Sequence, residues 1–487
     1  MEAILDLIYK VSSGIILFFS LMSLFICSLW HIFIVNLFGN DQASRETKST
    51  DTKIKSQPNE KFQKHKRTVS TTPLQNEVDQ EIDLELDTLN NIEFDHTITN
   101  PNDEKLRKQR SENIENPFHD VLDLEDTNLV PDLNYYYNQY DIEIENFELT
   151  TEDGFVIELW HMKNRNENLS VKRKPLLLLH GLLQSCGSFA SSGRKSLAYF
   201  FNESGYDVWL GNNRCGFNPK WSTESNKSGR SKWNWDINDM VKYDLKLLVE
   251  QVIERTGYPK ITLIAHSQGT TQGFMGLVNG KKLYENDEFS LNDKLETFVA
   301  LAPAVYPGPL LHEKIFVKLM AKGIDHPMIF GNRSFMPFMI TMRDILVGWR
   351  IFSYLSYIMF NYMFDWNDYL WDKKLRDRHF LFSPVNISVN LMKWWLSSKQ
   401  LSFKHGYHKI FPQDRRWIEE KGPRILLFVP RQDRLVDGKQ LINHFIEHED
   451  HSKYKIWYID EYSHLDVLWA HDVIERIGKE ILEEIGQ

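Results

Sequence analysis

A chain of 487 residues, 42% hydrophobic and 13% aromatic, has ample material for a large core and is long for one compact domain, so separate segments with separate jobs are expected. Its formal net charge of -10 excludes general nucleic-acid binding, because neutralising phosphates needs a basic face. Three cysteines, Cys27, Cys186 and Cys215, supply neither a disulfide framework nor a zinc ligand set.

Val11 to Phe38 contains no Asp, Glu, Lys or Arg and is dense in Ile, Leu and Phe. Crossing a bilayer needs about 20 apolar residues, whereas a cleaved signal has a shorter apolar region that ends at small residues. Residues 1–40 are therefore predicted to be a retained membrane anchor, with a helix over about 11–38. Lys10 precedes the span and Arg45, Lys48, Lys53 and Lys55 follow it, which by the positive-inside rule puts the long carboxyl side in the cytoplasm. Five Asn-x-Ser sequons, beginning at Asn168, Asn202, Asn226, Asn332 and Asn386, fit the opposite topology, and a segment dipping into a lipid monolayer fits the composition too. The polar stretch 41–128, with few apolar residues and no sustained period up to about Pro117, reads as a disordered tether.

Order is expected from Leu129 to the end. Tyr140 to Leu149 and Phe155 to His161 alternate apolar and polar residues around the turn Thr151-Glu152-Asp153-Gly154, which predicts a hairpin. Buried strands are expected at Pro175–Leu179, Tyr206–Leu210, Ile261–Ile264, Phe298–Ala302, Arg424–Val429 and Ile456–Ile459, with helices at Leu197–Ser204 and Asp236–Arg255 between them. Strands alternating with helices imply a mostly parallel sheet covered on both faces, whose ligands bind at the carboxyl ends of the strands. Between residues 303 and 414 the alternation stops, and an oily helical stretch predicts a cap over the sheet.

Ile261 to Gly269 reads Ile-Thr-Leu-Ile-Ala-His-Ser-Gln-Gly, a strand broken by a tight turn before a helix. That layout is a nucleophile elbow with Ser267 at its apex, although Ala265 stands where Gly is usual. A serine hydroxyl needs a base, and the base an orienting acid, in the chain order Ser, acid, His. Asp433 follows the strand Arg424–Val429 and His464 follows Ile456–Ile459, so both fall on the sheet edge of Ser267. Asp437 and Asp460 compete for the acid, and His444, His448, His451 and His471 for the base. Oxyanion donors are expected from the backbone N–H groups of Gln268, after the nucleophile, and Leu182, in the loop His180-Gly181-Leu182. This chemistry requires neither a metal nor an organic cofactor.

From about Asp132 onward the chain resembles the acid lipase family of α/β-hydrolases, which includes gastric and lysosomal acid lipases and fungal membrane-anchored steryl ester hydrolases. The resemblance rests on Thr150-Thr151-Glu152-Asp153-Gly154-Phe155, His180-Gly181-Leu182-Leu183, Gly205 to Asn212, Lys242-Tyr243-Asp244-Leu245, His266 to Thr271, Leu301-Ala302-Pro303 and Glu461 to Asp466. It implies an α/β-hydrolase fold over 129–487 with a cap inserted at about 303–414, Ser267 as nucleophile, Asp433 as acid, His464 as base, and Leu182 and Gln268 as oxyanion donors. The uncleaved anchor and tether are similar in layout to the fungal enzymes. They imply steryl ester hydrolysis at a plasma membrane, endoplasmic reticulum or lipid droplet surface, with triacylglycerol lipolysis as the rival. A non-catalytic lipid-binding or tethering protein on the same fold is the reading from another class.

Overall fold

The computed structural model describes residues 125–165, 172–222, 232–285, 288–331, 333–397 and 403–486, together with 92–95 and, at the amino terminus, Ile8, Val11, Ser12, Ile15, Phe19, Met22, Ser23 and Ile26. Its strands are β1 (Ile92–Asp95), β2 (Ile142–Thr150), β3 (Phe155–Asn164), β4 (Pro175–Leu179), β5 (Asp207–Asn212), β6 (Lys220–Trp221), β7 (Ile261–His266), β8 (Leu295–Leu301), β9 (Arg424–Pro430) and β10 (Tyr454–Ile459). They form one sheet in the order β1-β10-β9-β8-β7-β4-β5-β3-β2, with β6 paired to β3. From β1 to β5 the neighbours are parallel, while β3 runs antiparallel to β5 and β2.

The central strands are apolar throughout because both their faces are covered. In β4, Leu177 and Leu179 point into one core and Leu176 and Leu178 into the other. β7 and β9 divide alike, with Leu263, Ala265, Ile425 and Leu427 on the first side and Ile264, Leu426 and Phe428 on the second. Helices α1 (Leu197–Glu203), α2 (Lys246–Thr256) and α3 (Gln268–Leu283) supply the covering layers, α1 facing the second core and α2 and α3 the first. The helix predicted over Asp236–Arg255 starts on a capping box between Asp236 and Asp239 and passes through a wide turn at Met240–Leu245 before α2.

The cap carries α4 (Ile315–Gly323), α5 (Pro337–Leu346), α6 (Arg350–Phe364), α7 (Val389–Leu396) and α8 (Phe403–Ile410), after which α9 (Gly438–His448) and α10 (Lys479–Gly486) return to the sheet. Val317, Met320, Phe330 and Phe335 of the cap belong to the same buried cluster as Leu263 and Leu427 of the sheet, so cap and body share a core.

Two findings depart from the tether expected over 41–128. Ile92–Asp95 forms an edge strand parallel to β10, with Ile92 buried. A strand of four residues is stabilised mainly by its neighbour's backbone, which local periodicity does not register. Glu125, four residues before the expected start of order, is buried, pairs with Arg378 of the cap at 2.7 Å and accepts from Tyr140 and the Arg194 amide. Most of the stretch predicted as an anchor lies outside the described residues. Among the described residues no helix is long and apolar enough to cross a membrane. Ser12 donates to the Met328 carbonyl of the cap at 3.3 Å.

Candidate active site

β7 ends directly in the sharp turn that the elbow requires. Ser267 has φ 50° and ψ -117°, a conformation a side chain adopts only under strain, and its N–H is tied to the Leu301 carbonyl at 3.0 Å. Gly269 is required by its neighbours: a Cβ there would stand 2.6 Å from the Leu179 carbonyl oxygen. Ala265, the departure from the usual pattern, is fully buried among the sheet side chains. The threonines after the elbow stitch α3 to the loop following β8. Thr270 Oγ1 donates to the Ser267 carbonyl and accepts from the Ala304 amide at 2.9 Å, and Thr271 donates to the Ala304 carbonyl at 2.7 Å.

Asp433 and His464, in the loops after β9 and β10, meet Ser267 from the same sheet edge. His464 Nδ1 donates to Asp433 Oδ2 at 2.6 Å, and Ser267 Oγ donates to His464 Nε2 at 2.7 Å. The other carboxylate oxygen of Asp433 accepts from the amides of Leu435 at 2.9 Å and Val436 at 3.3 Å, which keeps the acid oriented. Ser267 is 6% exposed and His464 2%. The rivals sit elsewhere: Asp437 caps α9, Asp460 pairs with Arg431, His444 stacks on Trp417, and His471 contacts the Leu370 carbonyl. His448 lies in α9, and His451 contacts Tyr454.

The loop after β4 lies against the serine, since a Cβ on Gly181 would come within 3.0 Å of Ser267 Cβ. Leu182 follows in that loop, and Leu183 turns the chain at φ 61°. Gln268 opens α3, so its N–H has no partner a turn earlier and is free to face an anion, favoured by the helix dipole. Gln184 organises this corner by accepting from Gly181 N–H at 3.3 Å and contacting His266 Nδ1 at 3.0 Å.

Other residues of the site lie in or beside the quoted motifs but take their roles only from the fold. His266 Nε2 lies 3.1 Å from the His464 carbonyl, and burial holds its pKa well below the usual imidazole value, aided by the neighbouring His464 and His180. Neutral, it can donate through only one ring nitrogen. His180 is likewise pushed down to about 4 by burial; its Nε2 accepts from the Asn213 amide at 3.4 Å while Nδ1 donates to the Gly181 carbonyl. Arg214, in the loop after β5, is fully buried between Asp244 and Asp153 at 2.8 and 3.0 Å. Burial opposes its charge, but the two carboxylates outweigh that and hold its pKa above the usual guanidinium range. The motifs Glu152-Asp153-Gly154 and Tyr243-Asp244 thereby acquire a purpose, to neutralise this arginine and pin the chain after β5.

The cap touches the same machinery. Trp366, just past α6, stacks on the His464 ring, and Trp395 of α7 donates to Gln268 Oε1 at 2.9 Å. Surface cavities of about 290 and 700 Å³ lie away from the triad, the first beside Glu152 and Lys242 and the second beside Glu288 and Arg416. Among the described residues no cluster of His, Cys, Asp and Glu has the arrangement of a metal site.

The chain is similar in sequence to known proteins. A family model described as a partial alpha/beta-hydrolase lipase region matches residues 133–193, and an alpha/beta hydrolase fold model matches 174–279. Sterol esterase 2 of Saccharomyces cerevisiae is 54% identical, over 99% of this chain and 98% of its own length. Gastric triacylglycerol lipase of Rattus norvegicus is 26% identical, over 70% of this chain and 88% of its own. Lipase member J of Homo sapiens is also 26% identical, over 70% of this chain and 95% of its own. With this geometry in its loops and a relative matched along nearly its whole length, the chain belongs to the acid lipase-like family of α/β-hydrolases.

Proposed function

We propose that this protein is a carboxylic ester hydrolase that cleaves steryl esters, held at a membrane or lipid surface by its amino-terminal segment with the hydrolase body on the cytoplasmic side. The observation that carries the chemistry is the unbroken relay from Ser267 through His464 to Asp433, at 2.7 and 2.6 Å, in a site nearly closed to water. Ser267 Oγ attacks the ester carbonyl as its proton passes to His464 Nε2, and Asp433 holds the resulting imidazolium. The N–H groups of Leu182 and Gln268 receive the tetrahedral oxyanion. His464 returns the proton to the departing sterol oxygen, leaving a Ser267 acyl ester, and then activates the water that releases the fatty acid. No step calls for a metal or an organic cofactor.

The sterol preference is supported by the relative called a sterol esterase, which matches over almost the full length, amino-terminal segment included. The gastric relatives, called triacylglycerol lipases, support triacylglycerol as the second substrate class. Contact with a lipid surface is supported by the cap. Ile315 is 75% exposed and Ile345 and Trp349 are each 65% exposed, a set of large apolar side chains facing outward. Lys318 and Lys322 share the outward face of α4 with Ile315 and Leu319, as fits an anionic lipid surface.

Ser267→Ala tests the assignment. The variant should keep its fold and membrane attachment, lose fluorophosphonate labelling, and lose cholesteryl oleate hydrolysis by roughly 10³-fold or more. Wild-type turnover by the purified variant would sink the reading. Faster turnover of emulsified triolein than of cholesteryl oleate by the wild type would shift it to the lipase alternative.

A further inference from the structure

The loop that leaves α6 places one aromatic ring against the base of the triad. Trp366 lies 5.5 Å from the His464 ring, centroid to centroid, at an interplanar angle of 8°. Phe364 at 4.5 Å and 23° and Phe360 at 5.8 Å and 22° stack on it as well. Asn361 donates to the Trp366 carbonyl at 2.5 Å. Asp365, just before it, turns the chain at φ 56° and pairs with Lys314 of the cap and with Arg434 at 2.6 Å. Arg434 is the residue after Asp433, so the cap loop is fastened to the loop that carries the acid. Trp366 Nε1 is buried without a hydrogen-bond partner, which leaves stacking to set the ring's position.

An imidazole meets its hydrogen-bond partners at its edge, in the ring plane. Asp433 and Ser267 occupy that edge, whereas Trp366 covers a face. The indole therefore does not stand between base and nucleophile and can stay in place while the proton moves. It denies His464 the rotation out of plane that would break both bonds at once, and its electron-rich face suits the imidazolium formed as Ser267 attacks.

Resting on the triad reading above, we propose that Trp366 is a positioning residue for the catalytic base, supplied by the cap, so that the site is complete only when the cap loop is seated. The test uses the full chain with a short, soluble p-nitrophenyl ester, and compares Trp366→Phe, Trp366→Leu and Trp366→Ala. Leu preserves apolar volume without a flat ring, and Phe preserves the ring. Loss of alignment should lower kcat about tenfold in the Leu and Ala variants with KM within about twofold, while Phe keeps kcat within about threefold. Thermal unfolding identifies any variant that fails to fold, and the Leu and Phe pair decides the matter if Ala does. Wild-type or increased kcat for Trp366→Leu would overturn the proposal, the increase marking the indole as a plug. So would an effect on KM alone, which would make it a wall of the substrate channel, or equal loss in the Phe and Leu variants. A Ser267→Ala variant with full turnover would remove the triad itself; an inactive Ser267→Ala beside an unaffected Trp366→Leu would remove only this inference.

Discussion

The sheet and the cap use the same apolar residue types for opposite ends. In β4 and β7 every side chain is enclosed, and alternate positions serve two cores. In α4 Val317, Met320 and Ala321 face inward while Ile315 and Leu319 face out. A doubly covered strand has no freedom to shift, which is what a relay with tolerances of a few tenths of an ångström needs. A helix with one buried stripe and one open stripe can rest on the sheet and still meet a lipid surface. The body thus positions Ser267, Asp433 and His464, and the cap carries the outward-facing apolar side chains.

Changes in the two regions should separate chemistry, stability and surface contact. The largest effect is expected in the body: Asp433→Asn keeps the shape but leaves the imidazole in the wrong tautomer, lowering kcat on soluble and emulsified esters alike by about 10³–10⁴-fold. A loss confined to emulsified substrate would contradict it. Next in size, Leu263→Ala in β7 should cost about 2–5 kcal/mol of unfolding free energy, against about 0.5 kcal/mol or less for Ile345→Ala in the cap. Urea denaturation of the two variants checks this, and equal costs would erase the distinction between the regions. Replacing Ile345 and Trp349 together by Asn should reduce activity on emulsified cholesteryl oleate about tenfold, from apolar area no longer buried in lipid, and leave p-nitrophenyl ester turnover within about twofold. Equal losses on both substrates would make the exposed residues part of the fold and not of an interface.

The smallest effect concerns acid. Burial lowers His180 of the body to about 4 and His379 of the cap to about 3, where His379 is also opposed by Arg378. An unfolded histidine titrates near 6.5, so between that value and the folded pKa the unfolded chain binds more protons, and stability falls as pH falls. His180 alone should remove roughly 1 kcal/mol between pH 7 and 5.5. His180→Gln should flatten that slope in denaturation curves taken across this range, and an unchanged slope would mean that His180 protonates in place.

Most of the sheet was legible because strand signals are local. Pro175–Leu179 is apolar at five consecutive positions and falls on β4 residue for residue, and the elbow was recognisable from small residues around Ser267. His464 is set apart from His444 and His471 by its place just after a strand, and it lies within hydrogen-bond distance of Asp433 and Ser267. The edge strand Ile92–Asp95 was invisible, because four residues in a polar stretch carry too little pattern and gain their order from β10. The aromatics of the cap were equally opaque. Fourteen tryptophans look alike in sequence, and only packing distinguishes Trp366, on His464, from Trp417, on His444.

Local sequence carries most of the strands, their alternation with helices, and the serine, acid and histidine that follow them, since each is written in a few adjacent residues; the short strands Ile92–Asp95 and Lys220–Trp221 are the exceptions. The tertiary structure alone decided how residues 31 to 197 positions apart converge on one proton path, which side chains bury Arg214, and which face of the cap meets the site. The physical reason is range. Periodicity and turn chemistry report on a residue's own neighbourhood, whereas orientation at the triad is set by long-range packing and by buried polar groups that must find partners across the fold.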